Sequence, residues 1–167
     1  MLLFLDCEWA DIDDAELVSL ALVGEDPSRV FYAERDSLPV GAPPFVREVV
    51  YPVLERGAVA LADLQFAQAL RDFLSSIGNP TVVADYRVDF ELLRFALNGL
   101  DLPSSALSDL RPLPEVEELL VSSVAMQSAI ESCFSTQPSL SARRHNALVD
   151  AQVLRQAWFA VDPASRA

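Results

Sequence analysis

Leu2-Leu3-Phe4-Leu5 is an unbroken apolar run that stops at Asp6. Such a strand is stable only where both of its faces are covered, so it predicts a central strand with helices on each side and a polar end at the sheet edge. Residues 16–23 alternate in part and read as a second strand, and 29–34 as a third. The turns between them are rich in Asp, Gly and Pro, which predicts an antiparallel meander.

Helical spacing then replaces alternation. Apolar residues recur at 45, 46, 49, 50, 53 and 54, and again at 66, 67, 70, 73, 74 and 77, predicting amphipathic helices over 45–54 and 64–77. Pro52 is expected to shorten or kink the first of these. Thr81–Ala84 reads as a fourth buried strand feeding a helix over 88–97, closed by Asn98-Gly99. Residues 102–114 are rich in Pro and Ser, with a short strand expected around 107–110, and helices are expected over 115–134 and 147–161. This order predicts one α/β domain spanning residues 1–167, its mixed sheet flanked by helices. A chain of this length can bury roughly 70% of its extended surface, and the 51% hydrophobic content supplies the core.

Composition removes several chemistries. The net charge of −13 excludes holding nucleic acid or anionic lipid by bulk attraction alone. All 12 basic residues are Arg, so lysine-dependent phosphate loops, kinases and Schiff-base enzymes are excluded. The five Gly form neither a dinucleotide fingerprint nor a nucleophile elbow, and Cys7, Cys133 and His145 are too few for a closed zinc site. Without a basic leader or a long apolar stretch, a cytoplasmic protein with no membrane partner is expected.

Three acidic groups remain. Asp6 and Glu8 flank Cys7 at the end of the first strand and so share one face. Asp85 ends the fourth strand and Asp89 lies one turn along in the following helix. His145, the only histidine, precedes Asp150 by five residues at the start of the last helix. Taken singly, each has a common structural explanation: a solvated strand end, a helix cap, a surface histidine. Together they describe carboxylates that would repel if they converged. Hard divalent cations relieve that repulsion, and two of them about 3.5–4 Å apart can activate water and stabilise a leaving oxygen in phosphodiester cleavage.

Asp6-x-Glu8, then Asp89 followed by Leu93, then His145-x4-Asp150-Ala151 resembles the DEDDh 3′–5′ exonucleases of the ribonuclease H-like superfamily. The motifs span residues 6–151. The resemblance implies a ribonuclease H-like fold, two Mg²⁺ or Mn²⁺ ions on Asp6, Glu8, Asp89 and Asp150, and His145 as general base. Many members continue the first motif as Glu-Thr-Thr/Ser-Gly, whereas this chain has Glu8-Trp9-Ala10-Asp11, and where Asn is common four residues before the middle Asp it has Asp85. Whether Asp85 adds a ligand or substitutes for one is open at this point. The aromatic after Glu8 and the compact length are most similar to the small bacterial exoribonucleases first described in mycobacteria, which implies RNA 3′ ends as substrate. A homodimer is admitted by the same resemblance.

Trp9 and Tyr86 neighbour the acidic motifs and are candidates for stacking on bases. Arg87, Arg143 and Arg144 are the nearest cations and candidates for phosphate contacts. On so negative a chain, short oligonucleotides or trimmed RNA ends are expected to be bound with low processivity. Two other readings are a ribonuclease H-like nucleic-acid-binding domain without activity and another acidic-site nuclease, such as a PIN-like domain.

Overall fold

The computed structural model describes residues 1–10 and 16–161. Asp11, Asp13 and Asp14 lie outside the described residues. The chain forms a six-stranded mixed sheet in the order β4-β3-β2-β1-β5-β6. Its strands are β1 (Leu2–Trp9), β2 (Leu17–Gly24), β3 (Val30–Arg35), β4 (Ala60–Leu61), β5 (Thr81–Ala84) and β6 (Glu117–Leu120). The helices are α1 (Asp63–Ile77), α2 (Arg87–Leu97), α3 (Ser104–Leu107), α4 (Val124–Thr136), α5 (Pro138–Ser141) and α6 (Ala147–Val161).

The opening apolar run does take the centre of the sheet. β1 pairs antiparallel with β2 on one side and parallel with β5 on the other. Its alternate residues serve two cores. Leu3, Leu5 and Cys7 pack with Phe66, Leu70 and Leu74 of α1 and Phe90 and Leu93 of α2. Phe4 faces the opposite way, against Met126, Ile130 and Phe134 of α4 and Val153 and Leu154 of α6. The antiparallel β1-β2-β3 meander is present, and β3-β4, β1-β5 and β5-β6 are parallel.

The pairing of β1 with β5 runs only from Leu2↔Thr81 to Phe4↔Val83. Beyond it the two strands part, and the second half of β1, with Asp6 and Glu8, overhangs a crevice at the carboxyl ends of both. Parallel strands commonly bind ligands in such a crevice.

Several segments depart from the sequence expectation. Residues 45–54 form a π-turn (Val46–Val50) followed by a 3₁₀ turn (Tyr51–Val53), not an α-helix. Pro52 has no N–H to continue an α-helical ladder, and the wider turn closes through the Tyr51 N–H on the Val46 carbonyl. The strand expected around 107–110 is absent: α3 and a turn occupy 104–110, and Leu107, Leu102 and Leu110 crowd against Gly99. The long helix expected over 115–134 is divided. Its first part is the edge strand β6; the N–H groups of Glu117 at its start and of Val121 just after it donate to the carbonyls of Pro80, just before β5, and Ala84, the last residue of β5. Ser123 then starts α4, its hydroxyl accepting the Met126 N–H at 3.1 Å. No helix of the described residues is long and apolar enough to cross a membrane.

Candidate metal centre

Four elements deliver acidic side chains to the crevice. Asp6 and Glu8 come from one face of β1, and a bulge between Glu8 and Trp9 ends that strand's regular register. Asp85 follows β5, Asp89 lies in the first turn of α2 and Asp150 in the first turn of α6. One ligand atom each from Asp6, Asp85 and Asp89 lie within 4.8 Å of one another, as do one each from Glu8, His145 and Asp150. The three motifs, separated by up to 144 positions along the chain, are thus assembled into two adjoining groups.

The carboxylates are strongly perturbed. Burial, followed by the charges of Asp150 and Asp89, pushes Glu8 up to about 8. Asp150 is pushed up to about 7, mainly by burial, against the lowering effect of the His145 N–H and of Arg144. Asp6 is raised well above the ordinary range by burial and then by Asp89, Asp150, Glu8 and Asp85. Asp89 is raised likewise by burial and Asp85, partly offset by a hydrogen bond from the Cys7 backbone.

Asp6 Oδ2, Asp89 Oδ1 and Asp150 Oδ1 are buried and have no hydrogen-bond partner. Buried polar atoms are ordinarily satisfied, so three orphan carboxylate oxygens in one crevice call for a cation. Among the described residues no ion pair supplies one: Arg144 is held by Glu131 at 2.6 Å and covers the Phe134 ring, and Arg143 is held by Glu55 at 2.8 Å. Oxygen donors of this kind, with one imidazole, suit Mg²⁺ or Mn²⁺. The residues present therefore fit a divalent metal centre.

His145 sits on the loop before α6 in the left-handed region, at φ 69°. Its backbone N–H donates to Asp150 Oδ2 at 3.1 Å, and the edge-to-face ring of Phe45 lies 5.1 Å away. Burial, then Arg144, lowers the imidazole pKa, which favours the neutral form. The loop is anchored by the next residue. Asn146, fully buried, donates to the Tyr32 hydroxyl at 3.0 Å and the Val53 carbonyl at 2.9 Å, and accepts the Val149 N–H. Tyr32 donates in turn to Glu34, a buried carboxylate that also accepts the N–H groups of Glu55 and Arg56.

Beside Glu8 and His145 opens a cleft of about 440 Å³, walled by Trp9, Ala10, Pro43, Phe45, Val46 and Val50. Trp9 and Tyr86 lie parallel, 5.9 Å apart with 4° between their planes. Both stacking candidates are therefore on one side of the crevice, Tyr86 57% exposed and Trp9 partly packed into the core. Arg87 is exposed at the start of α2. Arg144, by contrast, would have to leave Glu131 to reach a phosphate.

Sequence reasoning did not reach Phe45, Asn146 or the Tyr32–Glu34 pair. Glu34 did carry a signal, being a charged residue opposite Ser19, which is itself opposite Glu8, in a buried part of the sheet. That signal needs the strand register, which local sequence does not supply. No family model matches the chain, and no curated protein matches it.

Proposed function

We propose that this chain is a divalent-metal-dependent 3′–5′ exonuclease of the DEDDh type, with a ribonuclease H-like fold, acting on single-stranded RNA ends or short oligonucleotides. The reading is carried by one observation: Asp6, Glu8, Asp89 and Asp150, with His145, converge in one crevice with three carboxylate oxygens lacking any protein partner. The order of motifs along the chain, the antiparallel β1-β2-β3 start and the parallel β5 agree with it. RNA is preferred over DNA on the resemblance to compact bacterial exoribonucleases.

Asp6, Glu8, Asp89 and Asp150 would hold two Mg²⁺ or Mn²⁺ ions. Bound there, such ions supply Lewis-acid polarisation of the scissile phosphate and lower the pKa of water. The protein's own part is to position and to move a proton. His145, kept neutral by burial, accepts a proton from the attacking water at a ring nitrogen. The water oxygen bonds to phosphorus as the bond between phosphorus and the 3′ oxygen breaks. The 3′ oxygen takes a proton from solvent, so a nucleoside 5′-monophosphate is released and the strand, one nucleotide shorter, ends in a 3′-hydroxyl. The apolar cleft beside Glu8 and His145 is of the size that encloses a small organic ligand and offers aromatic walls to a terminal base. Arg87, exposed and in no ion pair among the described residues, is a cation available to a backbone phosphate.

The test is turnover of 5′-labelled single-stranded RNA with Mg²⁺ or Mn²⁺ by the wild-type chain, Asp6→Ala and His145→Ala. A ladder shortening from the 3′ end in the wild type, lost in both variants, is expected. Intact RNA with either ion refutes the catalytic reading, internal cuts refute the exonuclease, and active variants refute the residue assignment. Unlabelled single-stranded DNA as competitor reports the sugar preference.

A further inference from the structure

The group formed by Asp6, Asp85 and Asp89 contains one carboxylate more than the DEDDh pattern assigns, and its geometry resolves what Asp85 does. The ligand atoms of the three residues lie within 4.8 Å of one another. Asp89 is only 2% exposed and its Oδ1 has no partner, and Oδ2 of Asp6 is likewise buried and unpartnered. Two oxygens that buried and that bare point to a missing electrophile between them.

Asp85 does not avoid this negative group. It lies on the two-residue link between β5, ending at Ala84, and α2, starting at Arg87, and it is only half-buried, so solvent is within its reach. Gln127, from α4, donates its side-chain amide to Asp85 Oδ2 at 3.1 Å and tethers the carboxylate on the acidic side. Among the described residues no ion pair involves Asp6, Asp85 or Asp89. Three carboxylates held together with no protein cation must take up protons or bind a cation, and a hard divalent ion relieves their repulsion while leaving all three ionised.

We infer that Asp85 is a direct ligand of the divalent ion that Asp6 and Asp89 would hold, making this half of the centre a three-carboxylate subsite. The inference rests on the metal-dependent reading above and deepens it. This subsite would offer its ion three carboxylates, whereas the other group offers Glu8 and Asp150 beside His145, the proposed base. The ligand charge of three raises affinity here, so the two ions bind with unequal strength and Asp85 sets the tighter one.

Calorimetric titration of the metal-free chain with Mn²⁺, without nucleic acid, tests this directly. The wild type is expected to bind two ions. Asp85→Asn and Asp85→Ser should each weaken the tighter site at least about tenfold and spare the weaker one. Glu91→Gln removes a charge from the exposed side of the same helix and should leave both sites as they are. Two unaltered sites in both Asp85 variants overturn the inference and leave the exonuclease reading standing. An equal loss in Glu91→Gln also overturns it, because general charge and not ligation would then be at work. A wild type that takes up no Mn²⁺ overturns both readings. Both Asp85 variants relieve repulsion, so their metal-free melting temperatures are expected at or above that of the wild type.

Discussion

The backbone N–H of His145 donates to the carboxylate of Asp150 at 3.1 Å, so the proposed base and a proposed metal ligand are tied together by one hydrogen bond at the mouth of α6. The bond consumes Oδ2 and leaves Oδ1 of Asp150 buried and bare. Asp150→Asn preserves an acceptor for the loop but removes the charge. We expect RNA cleavage to fall by about 10²-fold or more, in the range seen when a positioned catalytic group is lost. Metal-free stability should hold or rise, because a repelling partner of Glu8 and Asp6 is gone. Single-turnover cleavage and thermal melting in chelator measure the two effects; retained cleavage would separate Asp150 from the chemistry.

The raised carboxyl groups make a statement about pH. A carboxyl whose folded pKa lies above its unfolded value, about 4, binds more protons folded than unfolded between the two. Its stabilising contribution is complete below about pH 4 and is lost as pH rises through the folded pKa. For Asp150 and Glu8 that loss runs from about pH 4 up to about 7 and about 8, respectively. The metal-free chain should therefore melt at a lower temperature at pH 8 than at pH 5. Mn²⁺, competing with those protons, should raise the melting temperature more at pH 8 than at pH 5. A chelator-treated chain that gains stability over this interval would contradict the assignment.

The Glu34–Tyr32–Asn146 chain links the sheet to the His145 loop, and Tyr32→Phe cuts it at the middle. Leaving Asn146 and Glu34 short of one partner each should cost about 1–3 kcal/mol, a fall of several degrees in melting temperature for a chain of this size. Because Asn146 adjoins His145, kcat should fall more than KM changes. An equal fall in affinity would mean that the cleft and not the base had moved.

Tyr86 is 57% exposed and stacked on Trp9. Base stacking on an aromatic contributes about 1–3 kcal/mol, so Tyr86→Ala should raise KM for a short RNA about 5- to 100-fold. Melting temperature should barely change at so exposed a site. Steady-state kinetics with oligonucleotides of graded length check this, and an unchanged KM would remove Tyr86 from substrate binding.

The acidic motifs were legible because each stands on an element with a clear local signature. The apolar run before Asp6 and Glu8, the short buried strand before Asp85 and Asp89, and the helix carrying Asp150 each follow from patterning over a few residues. The same reasoning failed at 45–54 and at 117–120. In the first, the backbone had to close a turn around Pro52; in the second, Glu and Leu with good helix propensity were drawn into a strand by the ladder that β5 offered. Tertiary pairing overrode local preference in both.

What the amino-acid order determined alone was the inventory: a central strand, carboxylates at its polar end, a single histidine, and no lysine to support rival chemistries. Only the folded chain decided which side chains meet. It put Asp85 beside Asp6 and Asp89, turned Phe45 against His145, tied Arg144 to Glu131, and ran a buried polar chain from Glu34 to Asn146. Local patterning reaches along one strand or one helix turn, whereas these contacts depend on sheet register and helix packing, which arise only when distant segments bury their apolar faces together.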